Sequence, residues 1–530
     1  MINTGAQILI DTLIANDIRQ IFTLSGNHIM AIFDAALERK MELIHVRHET
    51  AAVHMADAWG RLTGQPGITL VTAGPGHANT ISALYVAQMA ESPLVLLSGH
   101  APLSQRGKGS FQEVDQVQMA EPVSKASWLV EDAATLQADV RRAIQLATSD
   151  TPGPVHLSIP SDVLEASIDK SASISYEEPT SSAVDITSIL DMLTQAKKPL
   201  LVAGPALSRG IPWQNIKTFS SNWRIPALPM RSPRGLNDPA LKSAVNSIRE
   251  ADLILLLGKK LDFTLRFGEG SCFRNGCQFV AVVPPTDQIL NDDRITDTIF
   301  HNPIAIVDAL NGAPNDEKSG DAAWYESVRL AQETVPETWK SLRESIAGPI
   351  HPLAICQAIQ PYLDDGAIFV SDGGEFGQWV QAGLSAEISL INGPSGSIGS
   401  AIPLAIGAKK AYPNQIVFAC LGDGTFGFHP MEMDTALRYD LPIVCIVGND
   451  ARWNAEHQIQ LRQYGADRTG GCDLLPTRYD QMVSALGGYG EFVETPRDIG
   501  PAIARAIASN LPACVNIMIE SHPAPTLLNP

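Results

Sequence analysis

Asp423 and Asp450 are the pair whose residue types and surroundings point most directly to chemistry. The stretch from Ile416 to Trp453 reads IVFACLGDGTFGFHPMEMDTALRYDLPIVCIVGNDARW. A β-branched apolar run ends at Leu421, Gly422-Asp423-Gly424 makes a tight turn, a helical stretch follows, and a second apolar run ends at Gly448-Asn449-Asp450. As neighbouring strands of a parallel sheet, both runs would finish on one edge, and that is the edge where ligands bind. Two carboxylates would then face one pocket beside glycine-rich backbone. Mg2+ favours octahedral oxygen coordination and shares its shell with phosphate groups, so it suits this donor set. The ordinary alternative is a strand-turn-helix with Asp423 as a solvated cap. Near the other end, Arg47-His48-Glu49 closes a short run, LIHV, and opens the helical stretch AAVHMADAWGRL. A glutamate there either favours the helix N-terminus or serves as an acid–base group.

The elements that must position these residues follow from hydrophobic patterning. Short β-branched runs (Ile68–Thr72, Leu94–Ser98, Leu200–Ala203, Leu253–Gly258, Ile416–Leu421, Ile443–Val447) alternate with longer stretches of helical period. Repeated strand–helix units predict an α/β class with parallel, doubly wound sheets. Two polar stretches poor in large apolar residues, around Asp169–Asp185 and Asn311–Asp321, read as linkers. They give an N-terminal domain at 1–165, a Rossmann-like middle domain at 186–312 and a C-terminal domain at 346–530, with a helical piece before the last.

A chain of 530 residues, 45% hydrophobic and 18% charged, is too long for one core and fits about three domains. A formal charge of −19 without a long basic stretch argues against nucleic acid and anionic membrane surfaces as partners. The opening MINTGAQILIDTLIANDIRQ carries Asp11 and Asp17 inside its apolar run and reads as an amphipathic helix rather than a signal peptide. No segment approaches the roughly 20 apolar residues that span a bilayer. Seven scattered cysteines without a CxxC pair argue against a disulfide framework or a zinc site, which fits the cytoplasm. The absence of GxGxxG after the first strand disfavours a nicotinamide dehydrogenase.

The C-terminal stretch resembles the thiamine-diphosphate enzymes, whose motif is GDG followed at a fixed interval by paired amides. The resemblance implies metal ligation by the motif's Asp, by a residue 27 positions on and by a backbone carbonyl two further; here these are Asp423, Asp450 and Arg452. It places Gly422, Gly424 and Thr425 against the diphosphate. The usual second ligand is Asn; Asp450 adds charge beside a diphosphate, which either tightens the metal or is relieved by partial protonation. Upstream, Gly393-Pro-Ser-Gly-Ser-Ile398-Gly resembles the segment that holds the aminopyrimidine, with the Gly396 carbonyl on the 4′-amino group and Ile398 wedged between the two rings. Ser371-Asp-Gly-Gly-Glu-Phe376 resembles a diphosphate-binding turn, with backbone N–H groups near Gly374 and Glu375.

From Arg47 through Arg61-Leu-Thr-Gly-Gln-Pro-Gly-Ile68, Ala73-Gly-Pro-Gly-His-Ala-Asn79 and Gly109-Ser-Phe-Gln-Glu113, the chain is similar to the pyrimidine-binding domain of acetolactate synthases. The resemblance puts Glu49 on the pyrimidine N1′. A carboxyl sharing a proton there favours the 4′-imino tautomer that deprotonates the thiazolium carbon. It also implies sites assembled between subunits, hence a homodimer or homotetramer.

The shared motifs fix the cofactor and leave the substrate among 2-oxo acids, 1,2-diketones and acyl-CoA thioesters. Acetolactate synthase-like carboligation or cleavage comes first, cyclohexane-1,2-dione hydrolase-like ring cleavage second, and 2-hydroxyacyl-CoA or oxalyl-CoA lysis third. His28, His77 and Asn454 match polar residues of the cyclic-diketone branch, and imidazoles there could donate to a diketone or shuttle protons near neutral pH. Each histidine could equally make a structural hydrogen bond, the preferred reading for His45, His54 and His429. Gln112 resembles the active-site glutamine of the synthases and ranks above Glu456, which aligns with an acidic residue of pyruvate decarboxylases. In the middle domain, Gly258-Lys-Lys-Leu-Asp-Phe-Thr-Leu-Arg266 is similar to the stretch that contacts FAD or the ADP of coenzyme A. It lacks the synthase pattern, which leaves FAD open, and Lys259, Lys260 and Arg266 could meet a phosphate. The tail SHPAPTLLNP is neither basic nor evidently a lid. A cofactor-binding relative without catalysis would have lost Glu49 or the metal pair, and both are present.

Overall fold

The apolar runs become parallel strands because each is sealed on both faces, which is what a run without polar alternation requires. The computed structural model describes residues 2–169, 184–285, 293–314, 320–334, 339 and 350–525. A short strand β1 (Ile2–Thr4) pairs antiparallel with β8 (Ser167–Asp169). The first large sheet holds β2 (Gln20–Thr23), β3 (Glu42–His45), β4 (Gly67–Val71), β5 (Leu94–His100), β6 (Ala126–Leu129) and β7 (Pro154–Pro160). They are all parallel, in spatial order β3-β2-β4-β5-β7-β6, and β4, β5 and β7 are buried along their whole length.

The second sheet holds β9 (Pro199–Ala203), β10 (Ala227–Pro229), β11 (Leu253–Leu257), β12 (Gln278–Val283) and β13 (Ile295–Phe300), parallel in the order β10-β9-β11-β12-β13. Separate apolar clusters pack on its two faces, around Leu200, Ile254 and Ala281 on one and around Leu201, Leu255 and Val282 on the other. The third sheet holds β14 (Ile368–Ser371), β15 (Ser389–Ile391), β16 (Val417–Gly422), β17 (Val444–Asn449), β18 (Tyr489–Val493) and β19 (Ala513–Met518). It too is parallel, in the order β15-β14-β16-β17-β19-β18.

Counted from its own first strand, each six-stranded sheet runs 2-1-3-4-6-5. Each therefore has a switch point between its first and third strands, where successive crossovers leave in opposite directions and open a crevice at the carboxyl edge. In the first sheet that crevice lies between β2 and β4, in the third between β14 and β16.

The three sheets fall inside the three expected stretches, but packing gathers the chain differently from the boundaries 1–165, 186–312 and 346–530. One compact unit joins the first sheet to Ile402–Asn414 and His429–Pro442; the other joins the second and third sheets. The two segments interrupt the third sheet's own sequence, so a reading by composition had no polar break to find. The expected linkers lie largely outside the described residues. Of the piece expected to be helical before the last domain, Ala322–Glu333 is a helix. Among the described residues no helix is long and apolar enough to cross a membrane.

Candidate active site

Beside the switch point of the third sheet, parallel neighbours β16 and β17 end side by side, with Gly422 opposite Gly448. That register carries Asp423 and Asp450 to one open cleft. Its lining includes Gly374, Glu375, Ile398, Gly422, Asp423, Gly424, Thr425, Asp450, Arg452, Asn454 and Glu456, side chains and turns drawn from four separate stretches of sequence. After the GDG turn the expected single helix is two short pieces, Asp423–Phe426 and Glu432–Arg438.

The two carboxylates are largely taken from water, and the Arg452 charge offsets only part of that cost at Asp450. Burial pushes Asp423 up to about 6, against the pull of the Gly424 and Arg452 amides. Asp450 rises to about 7, first by burial and then by the charge of Asp423. The Arg452 N–H donates to Asp423 Oδ2 at 3.1 Å. Ala451 holds φ +53, a left-handed conformation rare outside glycine, and the Asn449 side chain accepts its N–H at 3.1 Å. That kink turns the chain between Asp450 and Arg452. Two electron-rich carboxylates crowding each other is an arrangement that a divalent cation relieves. Among the described residues no group of three or more His, Cys, Asp and Glu side chains gathers as a metal cage.

The cleft floor has no room for side chains. A Cβ on Gly424 would stand 2.7 Å from the Trp453 ring, and one on Gly448 2.4 Å from the Phe376 ring. Gly374, at φ +83, opens onto free space. No side chain caps the helix Gly374–Gly383 that begins there, so its first turn offers amides to an anion. Ile398 is set by a carboxylate that the sequence did not single out. Asp372 is fully buried and accepts N–H groups from Gly373, Gly399 and Ala401 at 2.8–2.9 Å, and the Asn392 amide holds the Ser397 carbonyl at 2.7 Å. Gly396, at φ +68, is exposed and is not among the cleft's lining residues.

In the first compact unit, Glu49 begins the helix Glu49–Thr63 at the carboxyl end of β3 and is buried to 8% exposure. Its Oε2 accepts from the Asn79 amide at 2.9 Å, and the Thr50 hydroxyl donates to the Asn79 carbonyl at 2.6 Å. Oε1 looks toward Gly76, where a Cβ would lie 3.5 Å away. One carboxylate oxygen is thus pinned and the other left for a ligand.

Residues 3–119 match the family model of the thiamine pyrophosphate enzyme, N-terminal TPP binding domain, and residues 372–517 that of the C-terminal TPP binding domain. The acetolactate synthase large subunit IlvG of Mycobacterium tuberculosis is 32% identical, over 96% of this chain and 94% of its own. The 2-hydroxyacyl-CoA lyase 2 of Caenorhabditis elegans is 30% identical over 97% and 89%, and that of Homo sapiens 29% over 92% and 84%. The chain belongs to the thiamine pyrophosphate enzyme family. It is a thiamine-diphosphate-dependent carboligase or lyase similar to acetolactate synthase.

The donor set fits that cofactor: uncapped amides and a glycine floor for a diphosphate, and two crowded carboxylates beside them. Other expected residues of this family member are placed unevenly. His28 is buried, with Nδ1 3.3 Å from the Thr72 hydroxyl and its ring stacked on Phe111 at 6.0 Å, and burial lowers its pKa. Gln112 holds φ +60, and its buried Oε1 has no hydrogen-bond partner. Strain combined with an unpartnered polar atom is what a ligand-facing residue shows. Glu113 shapes that loop by accepting the N–H groups of Gly107, Gly109 and Ser110.

His77 departs from the expectation of a proton shuttle. It is fully buried, bonded through Nδ1 to Ser98 at 2.8 Å and packed 4.5 Å from the His156 ring. Burial drops its pKa to about 4, so the ring stays neutral near pH 7. Of the histidines read as structural, His45 bonds Ser25, and His54 lies buried in the helix core facing His429. Asn454 borders the cleft, yet its amide is already occupied: it donates to the His522 carbonyl and accepts from Ser521 and Gln458. Glu456 is exposed at the cleft wall.

The described part of the tail, which carried no signal of closure, lies along this site. Ser521 and His522 bond Asn454, and the Ala524 N–H donates to Glu375, whose carboxyl is raised by burial. In the middle sheet, Lys259 is buried against Asp262 and so is not placed to meet a phosphate; Lys260 is exposed and Arg266 half-exposed.

Proposed function

We propose that the enzyme makes or breaks the carbon–carbon bond beside the carbonyl of a 2-oxo acid or 1,2-diketone, with Mg2+ and thiamine diphosphate. The observation that carries this reading is the convergence of Asp423, Asp450, the Gly373–Glu375 turn and Ile398 on one cleft. When bound, thiamine diphosphate supplies a nucleophilic carbon and a sink for the electron pair released beside the carbonyl. Asp423, Asp450 and the Arg452 carbonyl would hold Mg2+. The Gly374 and Glu375 amides, with Gly422, Gly424 and Thr425, would take the diphosphate, and Ile398 would pack against the rings. Glu49, its Oε2 fixed by Asn79, would hold a proton on Oε1 at the pyrimidine nitrogen. His28 and Gln112 would face the substrate at the carboxyl edge of the first sheet.

The assembly is a homodimer or homotetramer in which Glu49 serves a cofactor held by another copy. The cysteines of the described chain are free, which supports a reducing compartment such as the cytoplasm. The buried, neutral His77 is poorly suited to shuttle protons near pH 7, while its Nε2, without a hydrogen-bond partner, would still serve as a donor to a diketone. A second reading, acyl-CoA lysis, is supported by the similarity to 2-hydroxyacyl-CoA lyase 2. Lys260 and Arg266, with the exposed Phe263 and Phe267 beside them after β11, would accept a nucleotide portion, whether of coenzyme A or of FAD.

The test is a proton NMR time course with thiamine diphosphate, Mg2+ and pyruvate beside a Glu49→Gln control. Acetolactate that depends on Glu49 is the expected outcome. Untouched pyruvate together with cleavage of a 2-hydroxyacyl-CoA would replace the first reading with the second, and a flavin absorbance band in the purified protein would decide FAD.

A further inference from the structure

The outer edge of the first sheet is β3, whose one neighbour in the sheet is β2. An edge strand normally leaves its outward N–H and C=O groups to water. Here they are taken by side chains of one distant segment within the same compact unit. The Tyr439 hydroxyl accepts the His45 N–H at 2.7 Å and donates to the Leu43 carbonyl at 2.8 Å. Arg438 donates to the His45 carbonyl at 2.6 Å. Just past the strand, Glu432 accepts the Arg47 N–H at 3.0 Å and also the N–H of His48.

Glu432 is the costly member of this set. It is 1% exposed, and its second oxygen is held by the Thr435 hydroxyl at 2.6 Å. A carboxylate taken out of water is destabilising unless hydrogen bonds to its charged form compensate, and here those bonds go to the two amides that precede Glu49. Water could satisfy two amides at a sheet edge; it could not fix their direction. Glu49 is therefore held twice, through its side chain by Asn79 and through the two preceding amides by Glu432.

We propose that Glu432 is a positioning residue for catalysis: by gripping the Arg47 and His48 amides, it sets where the Glu49 carboxyl meets the cofactor's pyrimidine. This rests on the role given to Glu49 above.

The experiment compares wild type, Glu432→Gln, Glu432→Ala and Glu49→Gln by three readouts. Hydrogen–deuterium exchange of peptides containing Arg47 and His48 is followed in the cofactor-free protein. The Kd of thiamine diphosphate with Mg2+ is measured, and so is the exchange rate of the proton on the thiazolium carbon between nitrogen and sulfur in the holoenzyme. Glu432→Gln keeps the volume of the side chain and loses the charge that grips the amides. It is expected to speed exchange at Arg47 and His48 and to slow thiazolium exchange roughly 10- to 100-fold with Kd changed less than about threefold, the signature of a misplaced group rather than a lost site. Glu432→Ala should do the same more strongly. A wild-type thiazolium rate in Glu432→Gln, with Glu49→Gln slowed, overturns the inference. Equal losses in Kd and exchange rate overturn it as well, making Glu432 a folding residue. A wild-type rate in Glu49→Gln overturns the role of Glu49 and this inference with it.

Discussion

Asp450 stands where an amide is usual in this family, and the structure shows what the carboxylate changes. It sits close enough to Asp423 for that charge to raise its pKa to about 7, while Asp423 itself rises to about 6. Both folded values lie above the ordinary 3.8, so this pair binds more protons folded than unfolded between pH 4 and 7. The contribution of the pair to the stability of the metal-free protein therefore falls as pH rises through that window. A cation competes with those protons, so Mg2+ affinity should climb with pH up to about 7 and level above it. Asp450→Asn should retain metal binding through the amide oxygen, lose the upper part of the climb, and leave the metal-free protein more stable near pH 7. Mg2+ titrations by calorimetry across pH 5.5 to 8, a range of about this width, test the point; an unchanged profile in the variant would remove the electrostatic account. At this scale the glycine turns beside them drew attention to Asp423 and Asp450, and the resemblance of the surrounding run to the synthases drew it to Glu49. Asp372, Asn79, Glu113 and Glu432 were not legible, because each acts on backbone or side-chain groups of another stretch and leaves no local pattern.

Among the elements, the loop carrying Ile398 depends most on a single side chain. The Gly399 and Ala401 N–H groups that follow Ile398 both donate to Asp372, a fully buried carboxylate at the end of β14 that also accepts the neighbouring Gly373 N–H. Burial raises its pKa, and the amides of Ala401, Gly373 and Gly399 oppose that rise. Asp372→Asn would replace one acceptor oxygen by a donor facing N–H groups. A bond between a charged acceptor and a buried amide contributes about 1.5–3 kcal/mol, so a loss of that order is expected in urea unfolding. Because the loop bounds the cleft, thiamine diphosphate affinity should fall at least about tenfold through misplacement of Ile398. A variant destabilised as expected but binding the cofactor normally would show that the loop is held by its own glycine turns instead. The strands themselves were readable within a residue or two, since their apolar runs are long and uninterrupted. The helix after the GDG turn was read as one and is two, because the Phe428-His429-Pro430 stretch breaks the helical period while its flanks stay apolar.

Across the whole molecule, the two six-stranded sheets repeat one topology and place the candidate site residues alike, on turns after the carboxyl ends of strands. In the first sheet these turns carry His28, Glu49, Gly76 and Gln112; in the third they carry Gly374, Asp423 and Asp450. The alternation of strands and helices made the α/β class legible from sequence. The repeated strand order was not, because spatial order depends on which side of a sheet each crossover takes. Nor was the grouping of His429–Pro442 with the first sheet, since it rests on side chains that meet a strand edge nearly 400 positions away, as in the 385-residue separation of Arg47 and Glu432. Glu49 and the Asp423/Asp450 pair thus belong to different compact units, and the proposal that each site draws Glu49 from one copy and Asp423 from another has a direct consequence. Glu49→Gln and Asp423→Asn chains should each be inactive alone. Mixed, unfolded and refolded together, half of the dimers would be hybrids with one site intact and one doubly impaired, giving about a quarter of wild-type activity for symmetric twofold assembly. Sites built within single chains predict no recovery at any mixing ratio, so the activity of the mixture, read against its hybrid content by native mass spectrometry, separates the two arrangements.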